Sequence, residues 1–140
     1  MILFRKPDFN VINDHSTDQL HSIMEVEILT AEEGKITSRM PVLPKHLSPL
    51  GKIHAAAIIA LADTTCGFGT HSHLPEGAAS FVTIELKSNF LGTVSSGILY
   101  CEAILEHQGR STQVWDAIVK DGQGKKIALF RCSQIILYRS

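Results

Sequence analysis

From Met24 to Ile28 apolar and polar side chains alternate, the period-2 signature of a strand with one face turned inward. Glu32-Glu33-Gly34-Lys35 supplies turn chemistry and the extended pattern resumes from Ile36 to Val42, so a hairpin is predicted. Pro41, Pro44 and Pro49 then mark a loop that cannot easily be helical. After a further loop over His71–Gly77 the alternation returns: Val82, Ile84, Leu86 and Phe90 interleave with Thr83, Glu85, Lys87 and Asn89. Three more strands follow over Ile98–His107, Thr112–Lys120 and Lys126–Tyr138, separated by turn residues in 92–97, at Gly109 and in 121–124.

Between these two blocks, Ile53 to about Phe68 reads as a helix, with Gly67 and Gly69 suited to its C-terminus. Ile58, Leu61, Ala62 and Thr65 share one side, and Ala56, Ile59, Ala60 and Gly67 the other, so an amphipathic stripe is absent. A helix apolar on both sides is expected to be buried all round. Strands grouped after a helix, without βαβ alternation, give an α+β class. One helix and five or six strands can share a core only if the sheet curls around the helix. The chain is expected to form a single domain over residues 1–140. Residues 1–23 would be an N-terminal extension in which Asn13, Asp14, Ser16, Thr17 and Asp18 could cap a short helix.

Composition narrows the function classes. Apolar residues make up 44% and charged residues 19%, which excludes a disordered chain. A formal net charge of -1 gives no electrostatic case for nucleic acid or an anionic membrane as partner. Cys66, Cys101 and Cys132 are scattered, with neither disulfide framework nor zinc ribbon spacing. No segment approaches the roughly 20 apolar residues of a membrane span, and the N-terminal apolar stretch is too short for a signal sequence. A cytoplasmic location is the expectation.

Candidate chemistry centres on Asp63, the only side chain charged at neutral pH between Ile53 and Thr70. A carboxylate in apolar surroundings is costly, its pKa rises, and proteins retain such groups at sites of proton transfer or nucleophilic attack. At the helix start, His54-Ala55-Ala56 places small side chains over backbone N–H groups that lack intrahelical partners, the makings of an oxyanion hole. Asp63 lies nine residues beyond His54, roughly 13 Å along a helix axis. A carboxylate that far from His54 on the same helix is hard to place on the same reacting carbon. The pattern therefore predicts a site between subunits, at least a homodimer.

These residues resemble the hotdog-fold acyl-CoA thioesterases of the phenylacetate-degradation and 4-hydroxybenzoyl-CoA thioesterase type. The resemblance rests on Ser48-Pro49-Leu50-Gly51, His54-Ala55-Ala56, Asp63, the stretch Thr83–Leu91 and the stretch His107–Trp115, in that order over about residues 24–138. It implies an antiparallel sheet wrapped around one long helix, and hydrolysis of an aromatic or medium-chain acyl-CoA to free acid and CoA. Asp63 would be nucleophile or general base, Ala55 N–H with His54 would polarise the carbonyl, and Ser48 would stand near the water. Asn89, Arg110 and Ser111 would line the path of coenzyme A, which enters as part of the substrate; no separate cofactor or metal is implied. The assembly implied is a dimer of dimers. Two departures bear on the acyl group: the family's Gly-Gly is Ala55-Ala56 here, and position 67, hydroxylated in some relatives, is Gly67.

Competing signals are weaker. His71-Ser72-His73 lacks a third ligand at metal spacing, Cys66 has no histidine spaced to activate it, and Trp115 is expected to pack on the sheet. No nucleophile elbow, P-loop or dinucleotide fingerprint occurs. Two other classes stay open: a non-catalytic acyl-CoA-binding sensor or carrier, which the retained acid argues against, and a dehydratase or hydratase of the same fold, whose Asp…His pattern is absent.

Overall fold

The computed structural model describes residues 3–139. Its elements are α1 (Phe9–Ile12), α2 (Leu20–Ile23), β1 (Glu27–Glu32), β2 (Lys35–Pro41), α3 (Ala55–Ser72), β3 (Ala78–Phe90), β4 (Ile98–Gln108), β5 (Thr112–Lys120) and β6 (Lys126–Tyr138). The six strands form one antiparallel sheet in the order β1-β2-β4-β5-β6-β3. The hairpins β1–β2, β4–β5 and β5–β6 are sequence neighbours. Helix α3 carries the chain from β2 across the sheet to the far edge, where β3 pairs with β6.

An α+β hotdog architecture results, with α3 against the concave face. Its buried residues fall in pairs one turn apart, Ala57 and Ile58, Leu61 and Ala62, Thr65 and Cys66, Gly69 and Thr70, with Ser72 at the end. Ala57, Ile58, Leu61, Ala62 and Cys66 meet Ile36, Met40, Leu99, Trp115, Val119, Ile127 and Phe130 from the strands in one apolar cluster. Fully burying side chains of this size stabilises by roughly 1.5–3 kcal/mol each. Polar groups inside are satisfied locally. Thr65 Oγ1 donates to the Leu61 carbonyl at 2.7 Å and accepts from Ser38 Oγ at 2.6 Å across to β2.

Three sequence-based expectations change. The helix begins at Ala55 rather than Ile53, because Ile53 is held extended in a bridge to Leu47. It runs through Gly67 and Gly69 to Ser72, taking in His71, so the loop begins only at His73. Gly69 is there for close packing against Trp115, not to stop the helix. Burial all round also fails in the single chain: Ile59, Ala60, Asp63, Thr64, Gly67 and Phe68 are only half-buried. That second apolar face lies beneath the N-terminal segment and towards the β3 edge.

Candidate active site

His54 is the N-cap of α3, in extended backbone, and its Nδ1 accepts the Ala56 N–H at 2.9 Å. A ring that accepts at Nδ1 carries its proton on Nε2, which is left free to donate. The Ala55 N–H has no acceptor among the described residues. Ala55 and Ala56 are themselves exposed. The positive end of α3 thus presents one free backbone donor with only a methyl group beside it. Ser48 stands half-buried in the turn before the helix, where Gly51, at φ +84°, donates to the Ser48 carbonyl and the Ser48 N–H bonds the Lys52 carbonyl.

Asp63 lies on the half-buried face of α3. One carboxylate oxygen, Oδ1, is buried and has no hydrogen-bond partner. Burial pushes the carboxyl pKa above the usual carboxylate value. The acid opens onto a cleft of about 680 Å³ bounded by α3, by Phe81 and Thr83 of β3, and by the N-terminal segment through Val11, Leu20 and His21. Cys66, one turn on, is fully buried and its thiol pKa is pushed up by that burial and by Cys132, which makes it inert. Among the described residues, no group of three His, Cys, Asp or Glu is placed to hold a metal ion. No helix there is long and apolar enough to cross a membrane.

Within one chain these groups stand apart. Ile53 N–H bonds the Val94 carbonyl at 2.8 Å, so the start of α3 lies at the Phe90 end of β3, whereas Asp63 lies beneath Phe81 and Thr83. The CoA-path residues divide the same way. Asn89 is exposed near the end of β3, opposite Leu129. Arg110 and Ser111, also exposed, occupy the β4–β5 turn: Tyr138 OH donates to the Arg110 carbonyl, Ser111 accepts from Ile136 N–H, and Tyr138 pairs with Ala78. From Ala78 to Asn89 is roughly 36 Å of strand. One chain does not unite Asn89 with Arg110 and Ser111.

The edge strand carries its own information. β3 is the sheet's far edge, and Val82, Ile84, Leu86 and Phe90 are all exposed there, Ile84 to 58%. A long edge with unpaired backbone groups and apolar side chains is a template for another strand. Sequence alternation located this strand and could not show that both of its faces are largely exposed. The N-terminal contribution to the cleft was also missed. α1 and α2 are four residues each, too short for a periodic signal.

Known proteins share this fold. The sequence profile of the thioesterase superfamily matches residues 50–128, from the turn before α3 into β6. A 1,4-dihydroxy-2-naphthoyl-CoA hydrolase from Listeria monocytogenes is 27% identical over 114 residues, 81% of this chain and 92% of that protein. The acyl-coenzyme A thioesterase PaaI of Escherichia coli is 29% identical over 118 residues, 84% of this chain and 81% of that protein. The crystal structure of a variant of thioesterase PA1618 from Pseudomonas aeruginosa superimposes with a TM-score of 0.91, covering 98% of this chain and 99% of that one, at 23% identity, a likeness of fold. With its curled sheet, central helix and profile match together, the chain belongs to the thioesterase superfamily of hotdog-fold thioester hydrolases.

Proposed function

We propose that the protein hydrolyses an aromatic or medium-chain acyl-CoA to the free acid and CoA, at a site shared by two protomers joined along β3. The observation that carries this reading is Asp63, whose buried Oδ1 has no partner and whose cleft is large and mostly apolar. A lone buried carboxylate costs stability, which favours a role in catalysis. Antiparallel pairing of two β3 edges about the strand's middle would lay the Phe90 end of one chain over the Ala78 end of the other. The partner's free Ala55 N–H would then approach this chain's Asp63, and the partner's Asn89 would approach Arg110 and Ser111. A homodimer is the smallest working unit, and further association into a dimer of dimers is compatible with it.

In this arrangement the Ala55 N–H, with His54 Nε2–H beside it, holds the thioester carbonyl oxygen. Asp63 removes a proton from water, whose oxygen bonds to the carbonyl carbon; the tetrahedral oxyanion collapses, the C–S bond breaks, and the proton passes to the CoA thiolate. Alternatively Asp63 attacks the carbon itself, CoA leaves, and water hydrolyses the resulting anhydride. Ser48, at the start of α3, would orient the water. Thiol release from a panel of acyl-CoAs tests the reading. Asp63→Asn is expected to lose a factor of about 10² or more, the scale of general-base removal. Equal turnover by both proteins would exclude Asp63, and binding without turnover in the wild type would favour an acyl-CoA sensor. In a single turnover in ¹⁸O water, label found in Asp63 identifies the anhydride route with water attacking the Asp63 carbonyl.

A further inference from the structure

The cleft beside Asp63 has one feature that hydrolysis alone does not require. Val11, Leu20, Phe68, Leu74 and Phe81 make much of its lining apolar; Arg5, Lys6, Asp8, His71 and Thr83 also line it, and so does His21 of α2. The imidazole is half-buried and stands edge-on to Phe68, with ring centroids 5.4 Å apart and planes at 89°. Neither ring nitrogen makes a hydrogen bond among the described residues, although neither is sealed from the cleft. Burial, with His15 nearby, lowers its pKa and keeps the ring neutral, so it carries one donor and one acceptor. The two buried histidines are engaged at both nitrogens: His46 with Leu43 and Met24, His73 with Gly34 and Gly69.

Taking the acyl-CoA reading as given, we propose that His21 is a specificity-determining residue that hydrogen-bonds a hydroxyl or oxo group on the body of the acyl chain or ring. Binding clefts are mostly apolar, with a few placed polar groups that fix orientation. Phe68, on which His21 rests, lies five residues beyond Asp63, about one and a half turns of helix. An acyl group whose carbonyl carbon is at Asp63 would therefore meet His21 well beyond its reacting end. A polar group left without a partner in such a cleft discriminates against the unsubstituted analogue more strongly than an apolar wall discriminates by size.

The experiment compares kcat/KM for matched pairs differing by one oxygen, benzoyl-CoA against 4-hydroxybenzoyl-CoA and octanoyl-CoA against 7-hydroxyoctanoyl-CoA. The pairs are run on the wild type, His21→Phe and His21→Gln. Because each preference is a ratio measured on one protein, partial loss of folded enzyme cancels. The wild type is expected to favour the oxygenated member of at least one pair by about tenfold or more, the worth of one hydrogen bond. His21→Phe should abolish that preference and His21→Gln should keep part of it. The same ratio in wild type and His21→Phe, or no preference in the wild type, overturns the role of His21 and leaves hydrolysis standing. Failure of the wild type to hydrolyse any of the four overturns both.

Discussion

Gly69 and Trp115 touch so closely that a Cβ on Gly69 would stand 2.6 Å from Cη2 of the indole. Helix α3 can lie this deep in the sheet because one turn of it has no side chain there. Trp115 is wholly buried and its Nε1–H donates to Gln113 at 2.9 Å, so the ring has no easy retreat. Gly69→Ala is expected to destabilise by about 1–3 kcal/mol through overpacking. Gly67, two residues earlier, has the opposite prospect. Its nearest neighbour to an added Cβ is Phe81 Cζ at 3.8 Å, an ordinary contact. Gly67→Ala should stabilise by about 0.5–1 kcal/mol through helix propensity. Urea unfolding of the two variants checks both signs.

Asp63 links activity to a stability cost. Its folded pKa lies above the unfolded value of 3.8, so the folded state holds the proton more tightly. Stability is therefore lost as pH rises through the window from 3.8 to the raised folded value, and the deficit persists at neutral pH. Asp63→Asn is expected to melt at a higher temperature than the wild type at pH 7, with the gap closing at acid pH below that window. The wild-type kcat/KM should fall on the acid side as the same carboxyl protonates, at a pH above 3.8. Melting curves and a pH–rate profile measure the two halves.

His73 works in the other direction. It is buried, its Nδ1–H donates to the Gly69 carbonyl at 2.7 Å, and its Nε2 accepts the Gly34 N–H at 2.8 Å. Burial lowers its pKa below 6.5, more than the bond to Gly69 and the nearby Glu33 raise it. A depressed histidine leaves stability intact above the unfolded pKa and removes it as pH falls from 6.5 towards the folded value. Thermal stability should drop across that window. His73→Gln should be less stable at pH 7 and show a shallower descent.

The start of α3 allows a clean test of the oxyanion donor. Ala55 is the first helical residue, where proline is well tolerated because its N–H has no helical partner. His54, at φ -71° and ψ 135°, already has the backbone that precedes proline comfortably. Ala55→Pro should keep the melting temperature and lose about 10²–10³ in kcat, the worth of one oxyanion-hole donor.

The sheet, the central helix and Asp63 were legible in the sequence because each has a local cause: period-2 alternation, an apolar stretch, one charge within it. Helix ends were less legible. Gly69 looks like a stop signal until Trp115, 46 positions away in the chain, is seen to need its space. The exposure of both faces of β3 is a property of sheet order, which no run of 13 residues encodes. His21 escaped notice because nothing in a four-residue helix shows that it meets Phe68. The distance from His54 to Asp63 could be read from helical rise alone, and the placement of Asn89 and Arg110 at opposite ends of β3 adds an independent reason to look for a second protomer.

Subunit complementation tests that shared site most directly. Asp63→Asn and Ala55→Pro, each lowered in activity by about 10² or more alone, are mixed, unfolded and refolded together so that mixed dimers form. If the acid of one protomer serves the helix start of the other, each mixed dimer holds one doubly damaged and one intact site, and thioesterase activity returns. Mixtures that stay as low in activity as either variant, with mixed dimers shown to be present, would contradict a site built from two chains.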